Sequence, residues 1–409
     1  MTGVATDYAR SPWVTGLPKS HVPSHPRLRG PIETSVAIVG GGLTGCATAY
    51  AFAAAGVKVA LVEHGRVGGG SAGSALGWIA ADPAESFIDV EKTIGRRDAR
   101  SAWQAWRRAA LDLAALVRRL KVKCGVEAGS ALILAVTPEQ ATRLKREQAA
   151  RRDAGLDAPL VRGREAAAEA GIDAAVAWRS RDGATLDPYR LALGLAAAAV
   201  DRGALVFEQS SATRTRFSRK WIDVQTEGGT IRADLVVIAT GGPTRLFPSL
   251  ERHYWFKRSF MALTGRLPAD VRRQLGSRRF VIRDSAAPPH LVRWVGDDRL
   301  LVSGGDSEAV RDGQREKTIV QRTGQLMYEL SVLYPAISGI PPAYGWDAAY
   351  WKTAHGLPSI GPHRNFPRHL FAFGDASHSV TGAYLASRIL LRHYLQETEA
   401  SDEVFRFRL

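Results

Sequence analysis

The sequence predicts an α/β fold, a doubly wound parallel sheet interrupted by a second, mixed α+β domain. Three observations carry this expectation. Residues 35–39 (Ser-Val-Ala-Ile-Val) are apolar and β-branched after Ser35, as a strand buried on both faces should be, and they run straight into Gly40-Gly-Gly-Leu-Thr-Gly45. An Ala-rich helical stretch follows to about Ala55, Gly56 stops it, and residues 57–62 are a second apolar strand. Beyond these, helical and strand patterns alternate through the rest of the 409 residues, a length suited to two or three domains.

Each later segment reads from its own pattern. Residues 1–30 carry Pro12, Pro18, Pro23 and Pro26 and read as an extended arm without a helix. Residues 97–120 repeat Trp103, Trp106, Ala110, Leu113 and Val117 at three- and four-residue steps, an amphipathic helix whose tryptophans belong to the core. Residues 130–136 are a strand, and 138–153 a helix capped by Thr137 with Pro138 in its first turn. An Ala/Leu helix covers 189–201, and strands are expected at 205–209, 221–226 and 235–240. Residues 252–342 mix strand candidates at 280–283, 290–295 and 300–303 with a helix at 315–333, and 385–397 is a closing helix.

Composition bounds the function. Apolar residues at 45% and charged residues at 23% exclude a disordered, collagen-like or coiled-coil chain. Lys and Arg number 55 (45 Arg, 10 Lys) against 40 acids, a net charge of +15 that favours an anionic partner. The cations are scattered, however, with no aromatic-interleaved nucleic-acid motif. Two cysteines, Cys46 and Cys124, exclude a disulfide framework and a cysteine-based zinc site, and no metal site is expected. Residues 1–30 lack an apolar signal core, and stretches such as 191–200 fall short of the roughly 20 residues that span a bilayer. A cytoplasmic location is expected.

The turn Gly40-x-Gly42-x-x-Gly45 sits between strand and helix, where it brings a pyrophosphate to the helix N-terminus. Glu63, 18 residues after Gly45 at the end of the second strand, can accept from both adenosine ribose hydroxyls and repels a 2′-phosphate. That selects FAD or NAD over NADP. A second cluster, Gly68-Gly-Gly-Ser-Ala-Gly-Ser74, exceeds what an NAD unit needs and suits an extended FAD.

These pieces resemble the D-amino-acid-oxidase-like family of FAD-dependent oxidoreductases, its γ-glutamylputrescine oxidoreductase-like branch in particular. The likeness spans about residues 12–409 and includes Trp346, Thr353-Ala-His-Gly-Leu-Pro-Ser-Ile-Gly361, Leu370-Phe-Ala-Phe-Gly374, Thr381, Thr185-Leu-Asp-Pro188, Arg299-Leu-Leu-Val-Ser-Gly-Gly305 and Asp402-Glu-Val-Phe-Arg-Phe407. It implies a GR2-type, Rossmann-like FAD domain interleaved with an α+β substrate domain built on a mixed sheet. The implied segments are an arm at 1–30, FAD domain at 31–85, 185–246 and 343–409, and substrate domain at 86–184 and 247–342. The implied chemistry is oxidation of a C–N bond in a small amine or amino acid, by hydride transfer to flavin N5 and imine hydrolysis.

On this resemblance, Gly40, Gly42, Leu43, Thr44, Gly45, Glu63, His64, Gly69, Gly70, Ser71, Gly73, Thr240, Gly241, Gly374, Asp375, Ser379, Val380 and Thr381 hold the FAD. His378, His355 and Trp351 are the catalytic candidates, and Tyr254, Trp255, Arg258, Arg283, Arg293 and His290 the further substrate-side ones. The chain departs from the family in four places. The Gly-rich loop after Gly374 reads Asp375-Ala-Ser-His-Ser-Val-Thr381, where His378 can stabilise charge on the reduced ring or carry a proton. His355 replaces an Asp, which shifts substrate charge preference if it faces the cleft. Leu301 stands where some oxidases place an oxygen-activating lysine, and Ala72-Gly-Ser-Ala75 replaces a Ser-Gly-Arg-Asn. No Cys stands near the C-terminal flavin loop and no His at the N-terminal covalent-attachment position, where Trp78 or a neighbour sits, so the FAD is expected to be noncovalent. Two other readings compete: a flavoprotein acting on tRNA or protein, favoured by the net charge, and an accessory flavoprotein without amine turnover, favoured by the altered loop.

Overall fold

The apolar run ahead of the first glycine cluster is the second half of a ten-residue strand, Gly30–Val39, buried from Val36 onward. In this computed structural model, residues 6–286, 289–308, 310, 312–374 and 380–408 are described. Strands Leu205–Phe207, Val59–Val62, Gly30–Val39, Gly229–Gly241 and Phe366–Phe373 lie side by side and parallel. The long strand Gly229–Gly241 changes partner midway. Its first half pairs with the hairpin formed by Ala212–Phe217 and Ile222–Thr226, its second half with Phe366–Phe373. Helices Leu43–Ala54, Pro188–Val200 and Val380–Leu395 pack together over this sheet, and Arg96–Arg119 packs on the last of them. Trp103 and Trp106 are buried in that helix's inner face, as the periodicity requires.

A nine-stranded mixed sheet forms the second body. Its order is Asp7–Tyr8, Pro342–Thr353, Tyr254–Thr264, Arg299–Ser307, Leu291–Val295, Phe280–Asp284, Ser130–Ala135, Val176–Ser180 and Leu160–Arg162. Helix Arg315–Leu333 covers one face through Ile319, Leu326 and Leu330 against Phe260, Ala262, Leu300 and Val302. The opposite face carries Met261, Leu263, Leu301, Trp346 and Ala348 into the same core as the nucleotide helices.

Two expectations change. Residues 343–353, expected to open the third FAD segment, belong to Pro342–Thr353, a strand of the nine-stranded sheet paired along its length with Tyr254–Thr264. Neither strand is evident in the sequence, because Gly345, Asp347, Ala348 and Ala349 have low strand propensity and pairing on both edges overrides it. The arm does form one short helix, Pro12–Thr15, capped by Ser11, since proline at the first helical position loses no hydrogen bond. Trp13 of that helix is buried and donates from Nε1 to the Ala75 carbonyl at 2.9 Å, while the Ser11 hydroxyl donates to the Gly73 carbonyl.

Arg293 is a buried strut. Its Nε donates to the Leu76 carbonyl at 2.8 Å and its Nη2 to Leu186 at 3.1 Å, with the guanidinium 5.1 Å from the centre of the Trp13 ring. Burial lowers its pKa to about 10. Arg293→Ala leaves two buried carbonyls without donors, and a loss of about 2–4 kcal/mol is expected. Guanidinium unfolding measures this, and an unchanged midpoint would show that the strut does not bear on stability.

Candidate active site

The parallel strands deliver the residues expected to hold a nucleotide to one edge. Gly40 follows Val39, Glu63 follows Val62, Gly241 ends its strand and Gly374 follows Phe373, so all four stand at carboxyl ends, where open α/β sheets bind ligands. A Cβ on Gly45 would lie 1.8 Å from the Gly40 carbonyl, so helix and turn meet there only as glycine. A Cβ on Gly42 would meet nothing within 4 Å, which leaves the backbone open to a ligand. Helix Leu43–Ala54 has no side-chain cap and no acid in its first turn, so its positive end is uncompensated from within. Leu43 is buried and Thr44 half-buried in that turn.

Glu63 is buried and oriented by the main chain. Its two oxygens accept from Gly41 N–H and Gly65 N–H, both at 2.7 Å, and Nδ1 of the exposed His64 lies 2.8 Å from Oε1. A carboxylate oxygen has two lone pairs, so Oε2, with one donor, retains capacity for a ribose hydroxyl. The second glycine cluster is tied to the first by Gly68 N–H to the Gly41 carbonyl at 2.8 Å. Gly69, Gly70, Ser71 and Gly73 lie in and before a short turn, Ser71–Ser74, held by the arm and by Trp346 Nε1 on the Ser74 carbonyl at 3.0 Å. Thr240 Oγ1 donates to the Gly242 carbonyl at 2.7 Å, Gly374 N–H to the Gly241 carbonyl at 3.0 Å, and Thr381 Oγ1 to the Ala80 carbonyl at 2.8 Å. Val380 and Thr381 begin the last helix and are buried. Open room at Gly42, the uncapped helix and the oriented carboxylate together fit a dinucleotide. Asp375, His378 and Ser379 lie outside the described residues.

Next to this edge is a cavity of about 730 Å³. Leu76, Trp78, Ala80 and residues 82–86 form one wall, and the open end of the nine-stranded sheet forms its floor. One row across the sheet, in register from strand to strand, is Trp178, Ile133, Arg283, Leu291, Ser303 and Met261. Lys257 and Ser259 continue the floor along one strand, and Tyr350 and Lys352 along the next. Most charges here are matched. Arg151 bonds Glu147 at 3.0 Å and Asp82 at 3.2 Å with its guanidinium 4.0 Å from the Trp178 ring centre, Lys352 pairs with Glu85, Lys257 with Glu308, and Asp284 with His290. Arg143 and Asp89 are exposed at the rim.

Of the substrate-side candidates, Arg283 alone lines this cavity. Trp351 is one residue out of phase with Tyr350 and Lys352. Strand alternation therefore turns its ring away, against Gly242 and edge-on to Phe256 at 5.2 Å. Tyr254 is buried edge-on to Phe373, Trp255 is half-exposed, and Arg258 pairs with Asp347. His290 bridges Asp284 and Glu329. Leu301 is buried in the core. His355 also stands off the cavity lining, so its expected effect on substrate charge has no support. Its Nδ1 accepts from Leu357 N–H at 3.3 Å, a contact to the residue two positions on that an aspartate also makes in turns. Tyr350, Lys352, Lys257 and Ser259 escaped the sequence reading because their strands did, and the alternation 257, 259, 261 was the available signal.

Comparison with known proteins places the chain. Residues 35–392 match the model of a family described as FAD dependent oxidoreductase. Gamma-glutamylputrescine oxidoreductase of Escherichia coli K12 is 26% identical over 92% of this chain and 87% of its own. Glycine oxidase of Geobacillus kaustophilus is 31% identical over 91% of this chain and 96% of its own. The crystal structure of a glycine oxidase from that organism superposes with a TM-score of 0.76, covering 92% of this chain and 99% of the other, at 22% identity over the superposed residues. The structure of L-proline dehydrogenase from P. horikoshii superposes with a TM-score of 0.74 at 16% identity, over 92% of this chain and 97% of the other. Among the described residues no helix is long and apolar enough to cross a membrane, and no group of three metal-ligating side chains is assembled.

Burial, and then Arg408, lower the His355 pKa from 6.5 to about 4. The folded chain favours the neutral ring, so this stabilisation is complete above the unfolded value and declines as pH falls through the folded one. A loss on the order of 3 kcal/mol is expected across that window. His355→Asn, which keeps an acceptor for Leu357 N–H, should flatten the dependence of Tm on pH between 6.5 and 4. An undiminished slope would assign the acid sensitivity elsewhere.

Proposed function

The chain belongs to the FAD dependent oxidoreductase family, and we propose that it oxidises a carbon–nitrogen bond in a small amine or amino acid, with noncovalently held FAD. The observation that carries this reading is the cavity. It opens between the segment that follows the second glycine cluster and the floor of the nine-stranded sheet, and its 730 Å³ suits a small organic molecule. Relatives named for gamma-glutamylputrescine and for glycine point to the same substrate class.

The flavin, when bound, supplies acceptance of a hydride from the carbon next to nitrogen, and the resulting imine hydrolyses to a carbonyl compound and an amine. The chain's own residues do the rest. The turn at Gly42 and the helix behind it receive the pyrophosphate, and Glu63 accepts from a ribose hydroxyl. Ile133, Leu291 and Met261 exclude water from part of the cavity floor. Arg283 offers a planar pair of donors to a carboxylate. A flavoprotein acting on tRNA or protein gains no support from the cavity, whose wall and floor carry acids and bases in near balance.

Anaerobic addition of amines and of D- and L-amino acids should bleach the visible flavin absorbance for one class and leave the rest without effect. Bound flavin that no such compound reduces would overturn this reading. Glu63→Ala removes a carboxylate acceptor, and at least about a tenfold weaker retention of FAD is expected, read as flavin absorbance per protein after dialysis.

A further inference from the structure

Two half-buried charges inside the cavity lack a counter-ion among the described residues. One is Arg283. Its Nη2 donates to the Ala84 carbonyl at 2.8 Å, and the nearby Asp82, Glu85 and Asp284 act on it only from beyond ion-pair distance, each being paired elsewhere. The other is Asp306. Its carboxylate accepts from the Ser259 hydroxyl at 2.7 Å and from the Tyr350 hydroxyl, and no cation lies within ion-pair distance. Lys257 and Lys352, the cations on the neighbouring strands, are committed to Glu308 and Glu85. Burial and the Asp306 carboxylate push the Tyr350 phenol far above its ordinary pKa, so it stays a donor. Isolated charge in a cleft is expensive unless something supplies the opposite sign.

Asp306 reaches the cavity through an irregularity in the backbone. Phe260 pairs with Gly304 and Arg258 with Ser307, so Ser259 alone opposes the two residues Gly305 and Asp306. Gly305 has φ +61° at this bulge. Strict alternation from Ser303 would put positions 305 and 307 on the cavity face and turn 306 to the far side. The extra residue shifts the phase and places Asp306 on the cavity face with Ser303, as bulges beside functional sites commonly do.

We propose that the cavity selects a substrate with two opposite charges several bonds apart, its carboxylate on Arg283 and its ammonium on Asp306 within the Ser259–Asp306–Tyr350 cluster. This rests on the amine-oxidation reading above. Arg283 pairs with Leu291, and Leu291 with Ser303, so two strand steps and nearly three residues along the strand separate the charges. The two Cα atoms are therefore roughly 13 Å apart. Side chains on one sheet face stand roughly perpendicular to it, so a comparable gap separates the two charged groups. An α-amino acid, whose ammonium and carboxylate share one carbon, is too short to engage both. An ω-amino acid of matching length can engage both.

The test is a titration of the FAD-loaded protein, read as perturbation of the flavin spectrum. The probes are straight-chain ω-amino acids of increasing length, with the alkylamine and alkyl carboxylate of each length as controls. At the best length, the bifunctional chain should bind at least about tenfold tighter than either control. Asp306→Asn should bring that ratio close to one, and Arg283→Gln should do the same from the other end. Tyr350→Phe, which removes a donor but no charge, should lower it less. Equal binding of bifunctional and monofunctional probes to the wild-type protein overturns the proposal, whether or not the variants fold. A length-dependent preference that survives Asp306→Asn also overturns it. The two readings fail separately. Reduction by simple amines with no length preference removes the paired-charge site and keeps amine oxidation. Tight Asp306-dependent binding of chains that never reduce the flavin does the reverse.

Discussion

One face of the nine-stranded sheet has to do two things. Along its apolar end, Met261, Leu263, Leu301, Trp346 and Ala348 seal against the nucleotide-binding body in a shared core. Along its polar end, Lys257, Ser259, Tyr350 and Lys352, on two of those strands, leave a cavity floor. Side chains alternate with a period of two, so a strand cannot exchange its faces without losing both seams. The register of Tyr254–Thr264 against Pro342–Thr353, paired from Tyr254–Thr353 to Thr264–Pro342, therefore decides at once how the two bodies join and what lines the space between them. The bulge at Gly305–Asp306 is the local exception, and it alters one side chain without disturbing the seam.

Electrostatics then shapes that space. Arg151, Lys257, Lys352 and His290 each answer a carboxylate, and those pairs also brace the wall: Glu147 accepts from Phe87 N–H at 2.6 Å and Ile88 N–H at 3.0 Å while bonding Arg151. Partnered charges of this kind hold structure. Charges left unanswered inside a cleft are where an incoming ligand gains most, because it supplies a counter-ion where water is scarce. The net charge of +15 takes no part in this, since the cavity lining is close to balanced.

The nucleotide edge was legible because its signals are local. Gly40, Gly42, Gly45 and Glu63 act through turn geometry and the end of a strand, which a short stretch of sequence specifies. The substrate side was not. Trp351 and Tyr350 are neighbours in the chain, yet only Tyr350 faces the cavity, and nothing in a strand rich in Gly, Ala and Asp reveals its phase. His355 is a departure from the family pattern that matters to a turn, as its contact with Leu357 N–H shows.

The sequence by itself determined the strand–turn–helix–strand unit, the glycine edge with its buried acidic neighbour, and the family to which these belong. Each follows from steric and hydrogen-bonding demands between residues near in sequence. Only the tertiary structure decided which side chains form the cavity, that Arg293 is a strut while Arg283 lines the space, and that Asp306 joins it through a bulge. Those outcomes depend on register and twist between strands separated by up to hundreds of residues, and a one-residue shift there reverses which face each side chain takes.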